Sequence, residues 1–192
     1  MEGIFSAFGL SASAGLNAYI PLLIVSLMAK FTNLITLDEP WSAMTSWWII
    51  GLLVILSVIE FFADKIPAVN HINDIIQTAV RPAAGAIVFA ASAEAITEIH
   101  PVLSLAAGLL IAGGVHAAKA GALRPAVTAT TGGAGTPFVS ILEDVVSTIL
   151  SIIAVLVPVV LGVLIVMFGA WVIWYFWRRQ NKKLAREAAR KN

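Results

Sequence analysis

The 192-residue chain contains no cysteine, which excludes disulfides, thiolate nucleophiles and cysteine-ligated metal sites. Charge is also scarce. Asp, Glu, Lys and Arg make up 12% of the residues, where a soluble domain carries about 25%. The three histidines and the scattered acids show no zinc or iron spacing, so no metal is expected. There is no Gly-x-Ser-x-Gly elbow. Gly132-Gly133-Ala134-Gly135 lacks the Lys-Ser/Thr ending of a phosphate-binding loop. An enzyme and a resident cofactor are therefore not expected. A net charge of +1 offers no footing for nucleic acid.

What remains is apolar. Hydrophobic residues are 59% of the chain and the mean hydropathy is +0.93. A chain this apolar has the lipid bilayer as its solvent. In lipid the backbone must satisfy its own hydrogen bonds, which leaves a helix bundle or a closed barrel. Continuous apolar runs without strict alternation select the bundle. We expect an all-α membrane protein, with one transmembrane domain over 1–177 and a basic tail over 178–192. Seven of the 12 Lys and Arg lie in that tail, which places the C-terminus in the cytoplasm; the N-terminus is expected there too.

Spans are expected at 4–30, kinked at Pro21, and at 47–63, 83–99 and 102–118, with a last apolar run from Val145 to Trp177 around Pro158. The segment 119–136 is rich in Gly, Ala and Thr. It is too apolar for a solvated loop and too poor in large side chains to face lipid, so irregular backbone inside the protein is expected there.

One motif occurs twice. Pro67, Val69, Asp74 and Thr78 recur at an offset of 70 as Pro137, Val139, Asp144 and Thr148, with aliphatic residues matched between them. Asn73 of the first copy becomes Glu143 of the second. Arg81-Pro82 follows the first copy and Arg124-Pro125 precedes the second. The first copy is about 14 residues, roughly 21 Å of helix, short of the ~30 Å hydrocarbon core. Two re-entrant half-helices are the expected form. A fainter echo aligns Gly15-Leu16-Asn17-Ala18 with Gly114-Val115-His116-Ala117. Broken helices in repeated halves are a mark of transporters, so we expect an inverted repeat with halves at about 4–99 and 100–177. The inversion requires 119–136 to cross the membrane.

An intramembrane carboxylate costs on the order of 3 kcal/mol and is a functional candidate by default. Asp74 and Asp144 therefore lead the site, with Arg81 and Arg124 as their partners. Glu143, Asn73, Thr78 and Thr148 accompany them by motif. Asp64 and Lys65 read as a membrane-boundary pair flanking the same pathway. A buried Asp–Arg pair has two uses: holding helices together, or presenting Arg to an anionic group.

Phe61-Phe62-Ala63-Asp64-Lys65-Ile66-Pro67, Asn73-Asp74, Arg81-Pro82-Ala83-Ala84-Gly85, Arg124-Pro125 and Glu143-Asp144 together resemble a family of small bacterial inner-membrane proteins, the domain of unknown function numbered four-one-two-six. The resemblance covers nearly the whole chain except the tail. It implies a multi-pass protein of the bacterial inner membrane and carries no established activity.

The expected function is a small inverted-repeat transporter or channel. Its cargo is an ion, a small anionic metabolite or a lipid phosphate headgroup, and a homodimer supplies the volume that one short chain lacks. The alternative is a non-transporting membrane scaffold or assembly factor with structural Asp–Arg pairs.

Overall fold

A computed structural model describes residues 2–94, 100–157, 163–164, 166–175 and 177–179. The end of the span expected over 83–99, Pro158 and the tail from residue 180 lie outside the described residues. Among the described residues up to Val157, seven α-helices follow in order: α1 (Glu2–Leu16), α2 (Tyr19–Phe31), α3 (Trp47–Ala63), α4 (Pro67–Glu94), α5 (Pro101–Ala118), α6 (Arg124–Thr131) and α7 (Thr136–Leu156). A 3-10 turn (Trp41–Thr45) precedes α3 and a π turn (Lys119–Leu123) joins α5 to α6. No strand occurs among the described residues.

Local chemistry sets most of the helix ends. Asn17 interrupts the first span because its side-chain oxygen accepts from the Tyr19 and Ile20 amides, both at 3.1 Å, and so caps α2. Pro21 then falls in the first turn of α2, where a missing N–H is harmless, so the break is at Asn17 and not at the proline. Ser46 Oγ accepts from the Ile49 amide and caps α3. His100 caps α5, with Pro101 opening the helix. Gly132, at φ 62°, closes α6 in the left-handed conformation that glycine adopts without strain.

Contacts fix the directions. Ser11 Oγ donates to the Gly108 carbonyl at 2.8 Å, Gly15 abuts Ala112 and Val115, and Lys119 Nζ donates to the Leu16 carbonyl at 3.1 Å. α1 and α5 therefore run in the same direction. Phe8 meets Phe89, and Gly85 meets Ser11, so α4 runs against α1. Asn17 meets Asp144, Ser13 meets Ser147 and Ser151, and Ser6 donates to the Ala154 carbonyl, so α7 also runs against α1. α2 and α3 form an antiparallel pair, joined at one end by Lys30 with Thr45 and at the other by Ala18 with Glu60.

The helix interfaces use small and hydroxyl residues. Ser104, Gly108, Ala112 and His116 form the buried face of α5 at four-residue spacing. A Cβ at Gly108 would come within 2.3 Å of the Gly85 carbonyl oxygen. Without a hydrophobic drive between helices in lipid, such close approach and interhelical hydrogen bonds supply the association. The outer surface is the reverse. Trp47, Trp48, Ile55 and Ile59 of α3 and Phe138, Leu142 and Ile149 of α7 are exposed, while serines and ionised groups are buried. Among the described residues three helical stretches, Ile72–Ala93, Pro101–Thr131 and Thr136–Leu156, are long and apolar enough to cross a membrane. This marks an all-helical membrane protein.

Three expectations are corrected. The motif copies are not separate half-helices: Pro67 opens a 28-residue α4 that continues through Arg81-Pro82 to Glu94, and Pro137 lies at the start of a 21-residue α7. A proline at a helix start gives up no hydrogen bond, and Pro82 gives up only the one to the Thr78 carbonyl. The halves are not inverted, because α1 and α5 share one direction and α4 and α7 share the opposite one. The segment 119–136 makes no crossing of its own. Its first part extends α5 as helix to Thr131, which satisfies the backbone, and Gly132 and Gly133 then turn the chain into α7.

Two outcomes follow. Gly108→Ala should lower unfolding stability in detergent by about 1–3 kcal/mol through overpacking, whereas Gly114→Ala, with open space around it, should leave the midpoint unchanged. Single cysteines at Ile66 and Ala134, in the turns before α4 and α7, should react with an impermeant thiol reagent from the same side of the membrane; an inverted arrangement requires opposite sides.

Candidate functional site

The break between α1 and α2 leaves two sets of backbone groups without helical partners: carbonyls at the end of α1 and amides at the start of α2. Opposite charges meet them. Lys119, in the π turn, donates to the Leu16 carbonyl at 3.1 Å. Glu60, near the end of α3, accepts from the Ala18 amide at 3.4 Å through Oε1. This is the sense in which a helix dipole favours charge, cation at the C-terminus and anion at the N-terminus. The π turn itself is a rare local unwinding of the kind found at functional sites.

Around this break, ion pairs join four helices (α3, α4, α6 and α7) and two turns, the one after α3 and the π turn. Arg81 of α4, fully buried, donates through Nη2 to Glu60 at 2.9 Å and to Asp64 at 3.3 Å. Arg124, at the start of α6, reaches Asp64 at 3.2 Å, Asp74 at 2.5 Å and Glu143 at 3.3 Å. Lys119 pairs with Glu143 at 2.7 Å. A neighbouring pair, Lys65 with Asp144 at 3.0 Å, completes the set. Asp64 is the centre. Its Oδ2 takes both guanidiniums and lies 3.5 Å from Ser140 Oγ, and its Oδ1 accepts from Asn73 at 2.7 Å. Asn17 spans the two parts, capping α2 with its oxygen and donating to Asp144 Oδ1 at 2.9 Å. His116 lies 3.3 Å from Thr78 Oγ1 and 3.5 Å from Arg81 Nη1.

The set holds four cations (Lys65, Arg81, Lys119, Arg124) and five carboxylates (Glu60, Asp64, Asp74, Glu143, Asp144). Among the described residues, Glu60 Oε2 and Glu143 Oε1 are buried without a hydrogen-bond partner. The site therefore has one more carboxylate than cations, with two carboxylate oxygens free to accept; on the donor side, among the described residues, Arg81 Nε is also buried without a hydrogen-bond partner. Among the described residues no group of three His, Asp or Glu side chains is arranged to hold a metal ion.

Of the residues expected from sequence, Asp64, Asn73, Asp74, Arg81, Arg124 and Glu143 meet in one network. Thr78 touches it through His116. Thr148 does not: its hydroxyl donates to the Asp144 carbonyl one turn back, just as Thr78 donates to that of Asp74. The pairing differs from expectation. Arg124 does hold Asp74, but Arg81 holds Glu60 and Asp64, and the partner of Asp144 is Lys65. Asp64 is no boundary residue; at 2% exposure it is the junction of the network, while Asp74 is on the rim, its side chain 25% exposed. Sequence reasoning missed Glu60 and Lys119 as members, and did not place Asn17 and His116 in the site. The faint alignment of Asn17 with His116 was the one available signal.

The protein-family comparison agrees with the earlier resemblance. A family model described as Domain of unknown function (DUF4126) matches residues 4–178, and the chain belongs to that family. No curated protein and no solved structure matches it.

Removing a central cation strands several buried carboxylates at once. Arg124→Leu should cost about 3–5 kcal/mol of unfolding free energy in detergent, the scale for breaking a buried ion pair from one side. Asp74→Asn, at the rim, should cost less than about 1 kcal/mol in the same measurement.

Proposed function

We propose that the protein is a small transporter or channel of the bacterial inner membrane, and that its cargo is a cation. The observation that carries the reading is the interrupted helix α1–α2, whose two free ends face Lys119 and Glu60 within a buried ionic network. Discontinuous helices with charged groups at their ends are how transport proteins hold ions at membrane depth. Ionised groups inside a membrane domain are costly and are retained where they serve a pathway. The acidic excess favours a positive cargo. Arg81 and Arg124 are engaged with Glu60, Asp64, Asp74 and Glu143, which leaves the anionic metabolite and phosphate headgroup readings with less support.

The repeat enters this reading in altered form. Each half contains a helix that is interrupted near its end, α1 at Asn17 and α5 at the π turn, and then a proline-opened helix bearing the motif, α4 or α7. Such halves are related by an axis along the membrane normal, the parallel class of transporter repeat. The α2–α3 hairpin is the extra element of the first half. A homodimer and cytoplasmic termini complete the proposal.

A second reading has its own support. Every charged side chain in the network has an opposite charge within an ion pair, as expected of a structural clamp in a scaffold. Exchangeable pairs and permanent ones differ in what substitution does. In proteoliposomes carrying imposed H⁺, Na⁺, K⁺ or methylammonium gradients, the transporter should give flux above empty vesicles for at least one ion. Lys119→Met and Glu60→Gln should each lower that flux by about tenfold or more, the weight of one charge-assisted contact. No flux for any of the four ions would move the assignment to the scaffold.

A further inference from the structure

Beside the network lies a groove that the ion pairs do not fill. Its volume is about 340 Å³, with Ile20, Val58, Phe61 and Phe62 as apolar walls and Asn17 and Asp144 at its polar end. Ser57 also lines it; among the described residues its hydroxyl oxygen is buried and has no hydrogen-bond partner. The volume is at the small end of the range for ligand pockets.

The cation at that end is Lys65. Its ammonium lies 3.0 Å from Asp144 Oδ2, donates to the Phe61 carbonyl at 2.9 Å, and sits 3.2 Å from the centroid of the Phe61 ring. A carboxylate, a carbonyl and an aromatic face are the three partners that a primary ammonium uses. Asp144 is held in place from the other side by Asn17. Lys65 differs from the other cations. Arg81, Lys119 and Arg124 are buried and each touches two or more groups of the network. Among the described residues Lys65 has one carboxylate partner; its side chain is 16% exposed, and it stands in the short turn between α3 and α4. With a single carboxylate partner and an exposed edge, Lys65 is the cation of the set whose place a second ammonium can take with the fewest contacts broken.

We propose that the groove binds a lipophilic primary ammonium compound, whose head displaces the Lys65 ammonium from Asp144 and whose tail lies along Ile20, Val58, Phe61 and Phe62. Lys65 then acts as a built-in competitor that occupies the head site when the groove is empty. The chemistry selects against other heads. A carboxylate would face Asp144, and a hydroxyl would leave that carboxylate without its counter-charge. The proposal rests on the transport reading for the onward passage of the compound, and not for its binding.

The chain lacks cysteine, so a single cysteine at Val58, a half-exposed wall of the groove, reports occupancy without background. The full-length protein in detergent would be treated with a thiol reagent in the presence of hexylammonium, hexanol or hexanoate. Hexylammonium should slow the reaction, and hexanol and hexanoate should not. Lys65→Ala should give the same protection at a concentration about tenfold lower, because the competitor is gone, and Asp144→Asn should abolish it. Lys65→Ala leaves Asp144 in place, so it decides the matter even where Asp144→Asn fails to fold. Equal protection by hexanol, no protection by any of the three, or an unchanged or higher concentration in Lys65→Ala would each overturn the proposal. Protection without passage of hexylammonium across a vesicle membrane would leave the binding site standing and remove only the transport step.

Discussion

One carboxylate holds the bundle together at its charged end. Asp64 stands in the turn after α3 and receives Arg81 from α4, Arg124 from α6 and Asn73 from α4, with Ser140 of α7 close by. A buried ion is tolerated only when its charge and its lone pairs are both met. Asp64 meets that condition by drawing several segments to one point. The neighbouring pairs are placed by it: Arg81 also reaches Glu60 of α3, which faces the start of α2, and Arg124 also reaches Glu143, which takes Lys119 of the π turn, facing the end of α1. The interrupted first helix is held open by groups that Asp64 anchors at one remove.

Away from this end the bundle is held by different means. Serines of α1 pair with serines of α7, and glycines of α4 and α5 let their backbones touch. Many large aliphatic and aromatic side chains point outward, while a smaller set including Leu10, Val25, Val88 and Phe89 is buried. The distribution is that of a protein dissolved in lipid, where apolar side chains gain nothing by turning inward and polar ones gain a great deal. Packing of this sort is rigid along the serine and glycine seams. At the helix break and the π turn the hydrogen-bond ladder is already open, so rearrangement there breaks the fewest bonds. The ionic network and the groove at Asp144 both adjoin that locus, which is the physical link between the proposed cation pathway and the proposed amine site.

Much of the site was legible in the chain, and the illegible part has a common cause. The doubled Asp motif and the two Arg-Pro pairs stood out because charge is rare in an apolar sequence. Their geometry did not. Fourteen residues of mixed polarity look too short to span, yet α4 continues because Pro82 sacrifices a single backbone bond. Lys119 lies in a run of small residues with no carboxylate nearby in sequence. Its role appears only when Leu16, 103 positions away, is brought beside it. Glu60 is likewise silent until Ala18 and Arg81 approach. Asp64-Lys65 looked like the end of an apolar run, which is what adjacent charges usually mean; burial by α4, α6 and α7 turned the aspartate into the junction.

Composition and pattern by themselves determined that the protein is helical, that its solvent is lipid, and that a few ionised groups would be forced together inside it. These follow from the cost of exposing apolar side chains to water and backbone amides to hydrocarbon, and both costs are local. Direction was a different matter. A repeated motif reads the same in a parallel and an inverted pair, because a helix-forming segment carries no record of which way its neighbours run. Only packing decided it: Ser11 against Gly108 and Asn17 against Asp144 set α1 with α5 and against α7. The choice of ion-pair partners followed from that direction, because Coulomb attraction between charges far apart in sequence acts only after the fold has brought them within a few ångströms.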